Sequence, residues 1–237
     1  MHNFIFKEMS SRQFNLGIVN IVTVRQGRKQ RPVEQVDIYE IPYGNDLIIH
    51  SNKYKPYIQE FEFVLRDPKL IPQINTWLSG RGKLILENDL EEYGRYGFYM
   101  ASVIDGWEYE KNHSTYSFLV KFKVDPFFYY NSGEHKKTFT TQPVTIINSG
   151  SIYSEPYFKI NGSGNINLLI NNRTYKFTDI VDYIEVDSSL LIAYKDTINQ
   201  GNKMSGDFPI LDVGKNIISW TGNVTSLEIK TRVRDLG

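Results

Sequence analysis

Two stretches of the chain alternate between side chains that avoid water and side chains that seek it. In Tyr57 to Leu65, Tyr57, Phe61, Phe63 and Leu65 share one face with Gln59, while Glu60 and Glu62 point the other way. In Tyr116 to Val124, Tyr116, Phe118, Val120, Phe122 and Val124 oppose Ser117, Leu119, Lys121 and Lys123. A period of two predicts strands with one packed face and one wet face. Beyond the second of these, Asp125-Pro126 removes a ladder donor and restrains the residue before it, so regular pairing is expected to end there. The aromatic run Phe127, Phe128, Tyr129 and Tyr130 that follows is expected to cover the end of the core or the seam between two domains, because aromatics bury much apolar area in such places.

One segment has the helical period instead. In Asp67 to Gly80, Leu70, Ile74, Trp77 and Leu78 form an i, i+4, i+7, i+8 stripe, Asp67 suits the cap, Pro68 the first turn and Gly80 the stop. This predicts one short helix laid on a sheet. After Asn131 the texture turns polar, which predicts a linker over 132–143 between an N-terminal domain, 1–131, and a C-terminal domain, 144–237. The second half reads as closely spaced short strands. Hairpins are expected around Asn171-Asn172, Ser188-Ser189 and Gly222-Asn223, and Asn161-Gly-Ser-Gly-Asn165 reads as a further turn. The spacing suggests an antiparallel sandwich.

Composition narrows the class. Tyr, Phe and Trp make up 14% of the 237 residues, which favours a mainly β fold, and 41% hydrophobic against 23% charged residues is the balance of a packed protein. Lys plus Arg and Asp plus Glu are both 27, so the overall charge calls for no nucleic acid, anionic membrane or acidic substrate. The absence of cysteine removes disulfides, thiolate metal sites and cysteine nucleophiles. Leu16 to Val24 is short and interrupted by Asn20, so it reads as a strand rather than a leader, and no window reaches the roughly 18 to 20 apolar residues of a membrane span.

The search for chemistry yields little. His2, His50, His113 and His135 lack ligand spacing, and no metal or cofactor site is expected. Gly80-Arg-Gly-Lys83 lacks the Walker spacing and follows a helix rather than preceding one, so it reads as a turn. Glu87 to Glu92 could supply carboxylates for calcium or glycoside chemistry but reads as a solvated loop. No catalytic serine, histidine and aspartate arrangement is present. The Asn-x-Ser/Thr sites at Asn112, Asn161, Asn172 and Asn223 read as chance matches in an Asn-rich chain. The basic cluster Arg25, Arg28, Lys29 and Arg31 is read as either a solvated hairpin tip or an interface. An extended hairpin is expected over Val19 to Ile41, with Arg28 to Arg31 at its middle.

Taken in order, these features resemble a family, the distal tail (Dit) proteins of long, flexible-tailed bacteriophages. The first half matches through Phe14 to Val24, Ile41-Pro-Tyr-Gly-Asn-Asp-Leu47, Lys53-Tyr54, Trp77-Leu-Ser-Gly80, Gly82-Lys-Leu-Ile-Leu86 and Phe122-Lys-Val-Asp-Pro-Phe127. The second matches through Ile147-Asn-Ser-Gly150, Glu155-Pro156, Tyr157-Phe-Lys-Ile160, Ile184-Glu-Val-Asp187, Gly206-Asp-Phe-Pro209 and Gly214-Lys-Asn-Ile-Ile218. Pro42-Tyr43-Gly44-Asn45 departs from the family's usual turn. The chain is similar to the short form, with no large C-terminal insertion.

The resemblance implies a mainly β chain. Its N-terminal β-sandwich-like domain would carry a short helix and an extended hairpin, and its C-terminal domain would be a galectin-like antiparallel sandwich. It also implies a structural, non-enzymatic virion protein at the tail tip, made in the bacterial cytoplasm. Such a protein forms a hexameric ring that joins the tail tube to the tail-associated lysin or fibre and holds peripheral receptor-binding proteins. Its channel passes tape-measure protein, and DNA only in transit; no membrane partner is implied. The rival reading is a carbohydrate-binding adhesion module, which needs an exposed aromatic platform, and a third is a hydrolytic tail enzyme, which needs a paired-acid cleft.

Overall fold

The computed structural model describes residues 4–10, 21–26, 32–86, 89, 94–104, 108–112 and 115–237. The chain divides into two compact units: 1–128 with 236–237, and 129–235.

The first unit is built from β1 (Phe4–Phe6), β2 (Met9–Ser10), β3 (Ile21–Gln26), β4 (Val33–Tyr39), β5 (Leu47–Lys55) and β6 (Tyr57–Leu65), followed by α1 (Ile71–Trp77), β7 (Arg81–Leu86), β8 (Gly97–Val103), β9 (Glu108–Asn112) and most of β10 (Thr115–Tyr130). Its main sheet runs β2-β1-β7-β8-β10-β6-β3, with β9 also on β10. The alternation of β6 is realised in full, since Tyr57, Gln59, Phe61, Phe63 and Leu65 are buried and the residues between them are not. β10 lies antiparallel beside it, pairing Phe118 with Phe63 and Phe122 with Gln59. The core is aromatic. Phe4 sits between Phe61, at 4.5 Å, and Trp77, stacked at 5.4 Å, with Phe122 edge-on at 5.6 Å. Such contacts add to the stabilisation from area alone.

The helix forms where the stripe predicts it. A single 3₁₀ turn, Pro68–Leu70, is capped by the Asp67 carboxylate, which accepts from the Lys69 amide at 3.0 Å, and continues into α1. Ile74, Trp77 and Leu78 are buried, and the Trp77 indole N–H donates to the Phe6 carbonyl at 2.8 Å. Gly80, at φ +65°, ends the run, a conformation that glycine adopts at no steric cost.

The second unit comprises β11 (Lys137–Phe139), β12 (Val144–Asn148), β13 (Tyr157–Ile170), β14 (Arg173–Ile180), β15 (Tyr183–Asp187), β16 (Ile192–Lys195), β17 (Ile198–Asn199), β18 (Met204–Ser205) and β19 (Gly214–Lys230), with β20 (Arg234–Leu236) at its end. Two strands organise it. The first part of β13 and the second part of β19 lie in one layer, β11-β19-β13-β15-β16-β17; their other halves pair with β14 and β12 in a second layer. The core between them includes Phe158, Ile160, Leu168, Phe177, Ile184 and Ile229.

Here the sequence expectation needs correction. Gly222-Asn223 and Asn161 to Asn165 do not reverse the chain; each sits inside a continuous strand, where the β13–β19 register shifts between Asn161 and Gly162 and again between Ser163 and Asn167. Both are bulges, which bend long strands from one layer into the other. Close approach explains the glycines: a Cβ on Gly222 would lie 2.3 Å from the Asn165 carbonyl oxygen, and one on Gly162 would lie 2.2 Å from that of Asn223. The hairpins at Asn171-Asn172 and Ser188-Ser189 do form, but the second turn takes in Leu190 and Leu191, because pairing resumes at Asp187 with Ile192.

Two further expectations change. Segment 132–143 is not a bare linker: Lys137 to Phe139 pair with Leu227 to Ile229, and Phe139 packs on the second core. Nor does β10 stop at Asp125-Pro126. Its pairing with β6 ends at Val124 opposite Tyr57, where β6 itself begins after Pro56, but the strand continues to Tyr130 and acquires β20 as partner. Pro126 takes part as an acceptor, its carbonyl receiving the Gly237 amide at 2.9 Å.

Candidate functional surfaces

β4 and β5 pair only with each other among the described residues, from Val33 opposite Lys55 to Tyr39 opposite Leu47, and join neither main sheet. This is the extended hairpin. It lies one element later than the Val19 to Ile41 region expected to form it, because Ile21 to Gln26 instead pair with β6 as the edge of the first sheet. Arg25 stands opposite Glu62 in that edge, while Arg28, Lys29 and Arg31 lie outside the described residues.

The hairpin is unusually apolar for an exposed element. Val33, Ile38 and Tyr39 of β4 and Leu47, Ile48 and Ile49 of β5 all exceed two-fifths exposure. Three consecutive apolar residues on a strand must show both faces, so no single packing partner within the fold could cover them. Contiguous apolar exposure of this kind marks an interaction surface rather than a free one. The sequence signal was Leu47-Ile-Ile49 without alternation. Between Val33 and Asn52 the only charges are the carboxylates of Glu34, Asp37, Glu40 and Asp46. His50 Nδ1 lies 3.0 Å from Glu34.

At the hairpin's tip the Gly44 amide donates to the Ile41 carbonyl at 3.0 Å and closes a tight turn. Tyr43, at φ +63°, is held in the left-handed region with its whole side chain in solvent, its exposure being 111% of the reference value. Elsewhere on the first unit an open cavity of about 520 Å³ is lined by Lys7, Met9, Gln73, Thr76 and Trp77.

The aromatic run divides between the units. Phe127 and Phe128 belong to the first and Tyr129 and Tyr130 to the second. Phe128 is buried against Tyr99, with the Arg95 guanidinium 4.1 Å above its ring, and Phe127 meets Tyr54 edge-on. In the second unit the Tyr130 hydroxyl donates to Asp235, and its amide donates to Val233.

The acidic segment is not all solvated loop, since Asp89 is buried. Burial first, then the Asp89 charge, raises the Tyr57 hydroxyl well above its ordinary pKa; burial, Tyr57 and Asp89 do the same for Tyr99. Both phenols stay protonated.

The second unit carries pinned turns rather than a cleft. The buried Asp187 carboxylate accepts from the Ser189 and Leu190 amides, at 3.1 and 3.2 Å, and from both Arg232 amino groups, at 2.6 and 2.8 Å. Burial pushes the Asp187 carboxyl up, but Arg232, Ser189 and Leu190 outweigh it and hold it below the usual carboxylate value. This fixes a turn in which Leu190 and Leu191 project into solvent, Leu191 at φ +54°. Trp220 belongs to the core. Tyr153, the large aromatic most open to solvent in this unit, lies under the Arg234 guanidinium at 5.1 Å.

No family model and no curated protein matches the chain. Solved structures do. Dit (gp 19.1) of phage SPP1, described as a paradigm of the hub adsorption apparatus in phages infecting Gram-positive bacteria, superposes with a TM-score of 0.67 at 11% identity, over 97% of each chain. A chain of the phage p2 baseplate in its activated conformation gives 0.51 at 10% identity, over 96% of this chain and 98% of that one. The chain therefore has the Dit fold over nearly its full length, mainly β with one short α-helix on the first sheet and an antiparallel sandwich in the second unit.

Proposed function

We propose that the chain is a distal tail protein of a long-tailed phage, a structural hub at the tail tip. The observation that carries this reading is the likeness to the SPP1 hub protein over 97% of the chain, which takes in both units. A shared fold alone does not assign function. The surfaces support the same reading, because the apolar, acidic hairpin is made for a protein partner and not for a small substrate.

In this reading copies of the chain close into a ring, six being the expected number. The ring joins the tail tube on one side to the tail-associated lysin or fibre on the other. Its opening passes tape-measure protein and then DNA, for which a chain with Lys plus Arg equal to Asp plus Glu offers little non-specific adhesion. The second unit, with its rigid turns, holds peripheral baseplate or receptor-binding components. The edge strand carrying Arg25, and the neighbouring Arg28, Lys29 and Arg31, belong to the ring or tail-tube contact. Tyr129 and Tyr130 belong with Phe127 and Phe128 to the seam between the domains. Immunogold labelling of phage particles with an antibody to this chain tests the placement: label confined to the tail tip is expected, and label on the head or along the shaft contradicts it.

A further inference from the structure

The same subunit carries an apolar projection and an apolar recess. The projection is Tyr43, fully in solvent on a turn closed by the Gly44-to-Ile41 hydrogen bond and held at a φ that bulky residues avoid. Backbone strain of this kind persists where the surrounding structure enforces it, and it gathers at functional positions. Nothing among the described residues of its own chain covers the side chain.

The recess is the cavity beside α1. Its volume of about 520 Å³ lies within the roughly 300–1,000 Å³ range of binding pockets and admits one aromatic side chain. The Trp77 N–H is committed to Phe6 and the Thr76 hydroxyl to Pro72, so these walls offer carbon rather than hydrogen-bonding groups. Lys7 lines the recess and supplies a cation, its ammonium also donating to the Ser79 carbonyl.

Charge agrees with shape. The hairpin, Val33 to Lys55, holds four carboxylates, Glu34, Asp37, Glu40 and Asp46, against Lys53 and Lys55 at the end away from its tip, whereas Arg66 to Lys83, which includes α1, holds Arg66, Lys69, Arg81 and Lys83 against the single carboxylate of the capping Asp67. Glu8, beside Lys7, and the Arg81–Asp125 pair reduce this contrast without reversing it. A projection with an acidic tip and an apolar recess lined by Lys7 on one chain are complementary to each other and not to themselves. A contact of that type is heterologous, and repeated head to tail it builds a ring when the rotation between copies closes and a filament when it does not.

We infer that the hairpin tip of one copy seats in a second copy, with Tyr43 in the cavity between Met9 and Trp77 and the hairpin's carboxylates facing Lys7 and the α1 segment. This rests on the ring reading above and names the contact that would build it.

The natural chain has no cysteine, so Asn45→Cys and Gln73→Cys can be introduced together while Tyr43 is kept. Treatment with a short bismaleimide should then give a covalent ladder up to the size of the native oligomer, and neither single variant should give one. Adding Tyr43→Asp should abolish the ladder and raise the oligomer's dissociation constant by at least about tenfold, with circular dichroism unchanged, since an anchor residue carries much of an interface. An intact ring that does not cross-link, or one that cross-links equally through Asn45→Cys alone, overturns this contact and leaves the ring reading standing. A protein that remains monomeric by native mass overturns both.

Discussion

At the scale of single residues, two features of the second unit separate what a local reading can find from what it cannot. Gly222-Asn223 and Asn161 to Asn165 carry the residues that tight turns require, but a bulge has the same appetite for positive φ and close backbone approach. The choice is made by partners far away in sequence, because Asn161 to Gly162 and Val224 to Ser226 lie side by side, and no local pattern records that. Gly222→Ala is expected to destabilise the second unit by more than about 1 kcal/mol, because the added Cβ meets the Asn165 carbonyl at a φ of +99°; calorimetry of the variant checks this.

The Asp187–Arg232 pair is a second such case, its members 45 residues apart and joined only by the fold. Replacing Arg232 with Met leaves a buried carboxylate unpaired, and about 3 kcal/mol should be lost from the unfolding free energy. Because the folded Asp187 pKa lies below its unfolded value, the pair's contribution is present above the ordinary carboxylate pKa near 4 and lost as pH falls through the folded value. Wild type should lose its advantage over Asp187→Asn across that acidic window in thermal melts, and a difference unchanged by pH would count against the pairing.

At the scale of elements, the sequence was most legible where one short segment carried all its own instructions. The helix is the example: Asp67 caps, Ile74, Trp77 and Leu78 pack, and Gly80 stops it, all within one local pattern. Trp77→Ala should cost about 3–5 kcal/mol in denaturant unfolding, since it removes the ring stacked on Phe4 and the indole bond to Phe6. The hairpin was misplaced by one element because Leu47, Ile48 and Ile49 do not alternate and stay exposed, so no core within the subunit imposes a period on them. A two-stranded hairpin alone is marginally stable in water. Amides of Val33 to Lys55 should therefore exchange with solvent far faster in the free subunit than those of β6 and become protected on assembly. Equal protection in both states would show that the hairpin needs no partner.

At the scale of the whole molecule, the likeness to the SPP1 protein survives at 11% identity because a sandwich needs the period of its apolar positions, its bulges and its caps rather than particular residues. Those periods are what the sequence displayed, so the fold class and the order of motifs were readable. The interface was not, since a surface is defined by what covers it. The neutral charge balance likewise conceals a local asymmetry, with Glu40 and Asp46 flanking the hairpin's tip and its Lys53 and Lys55 at the other end, that appears only once the elements are placed.

The central claim is that this subunit closes into a ring, and native mass measurement joined to negative-stain imaging tests it most directly, with the purified chain alone and mixed with its tail tube protein. The account predicts annular particles of uniform size with a central opening and a mass near six subunits. A strict monomer at high concentration in both samples would contradict it.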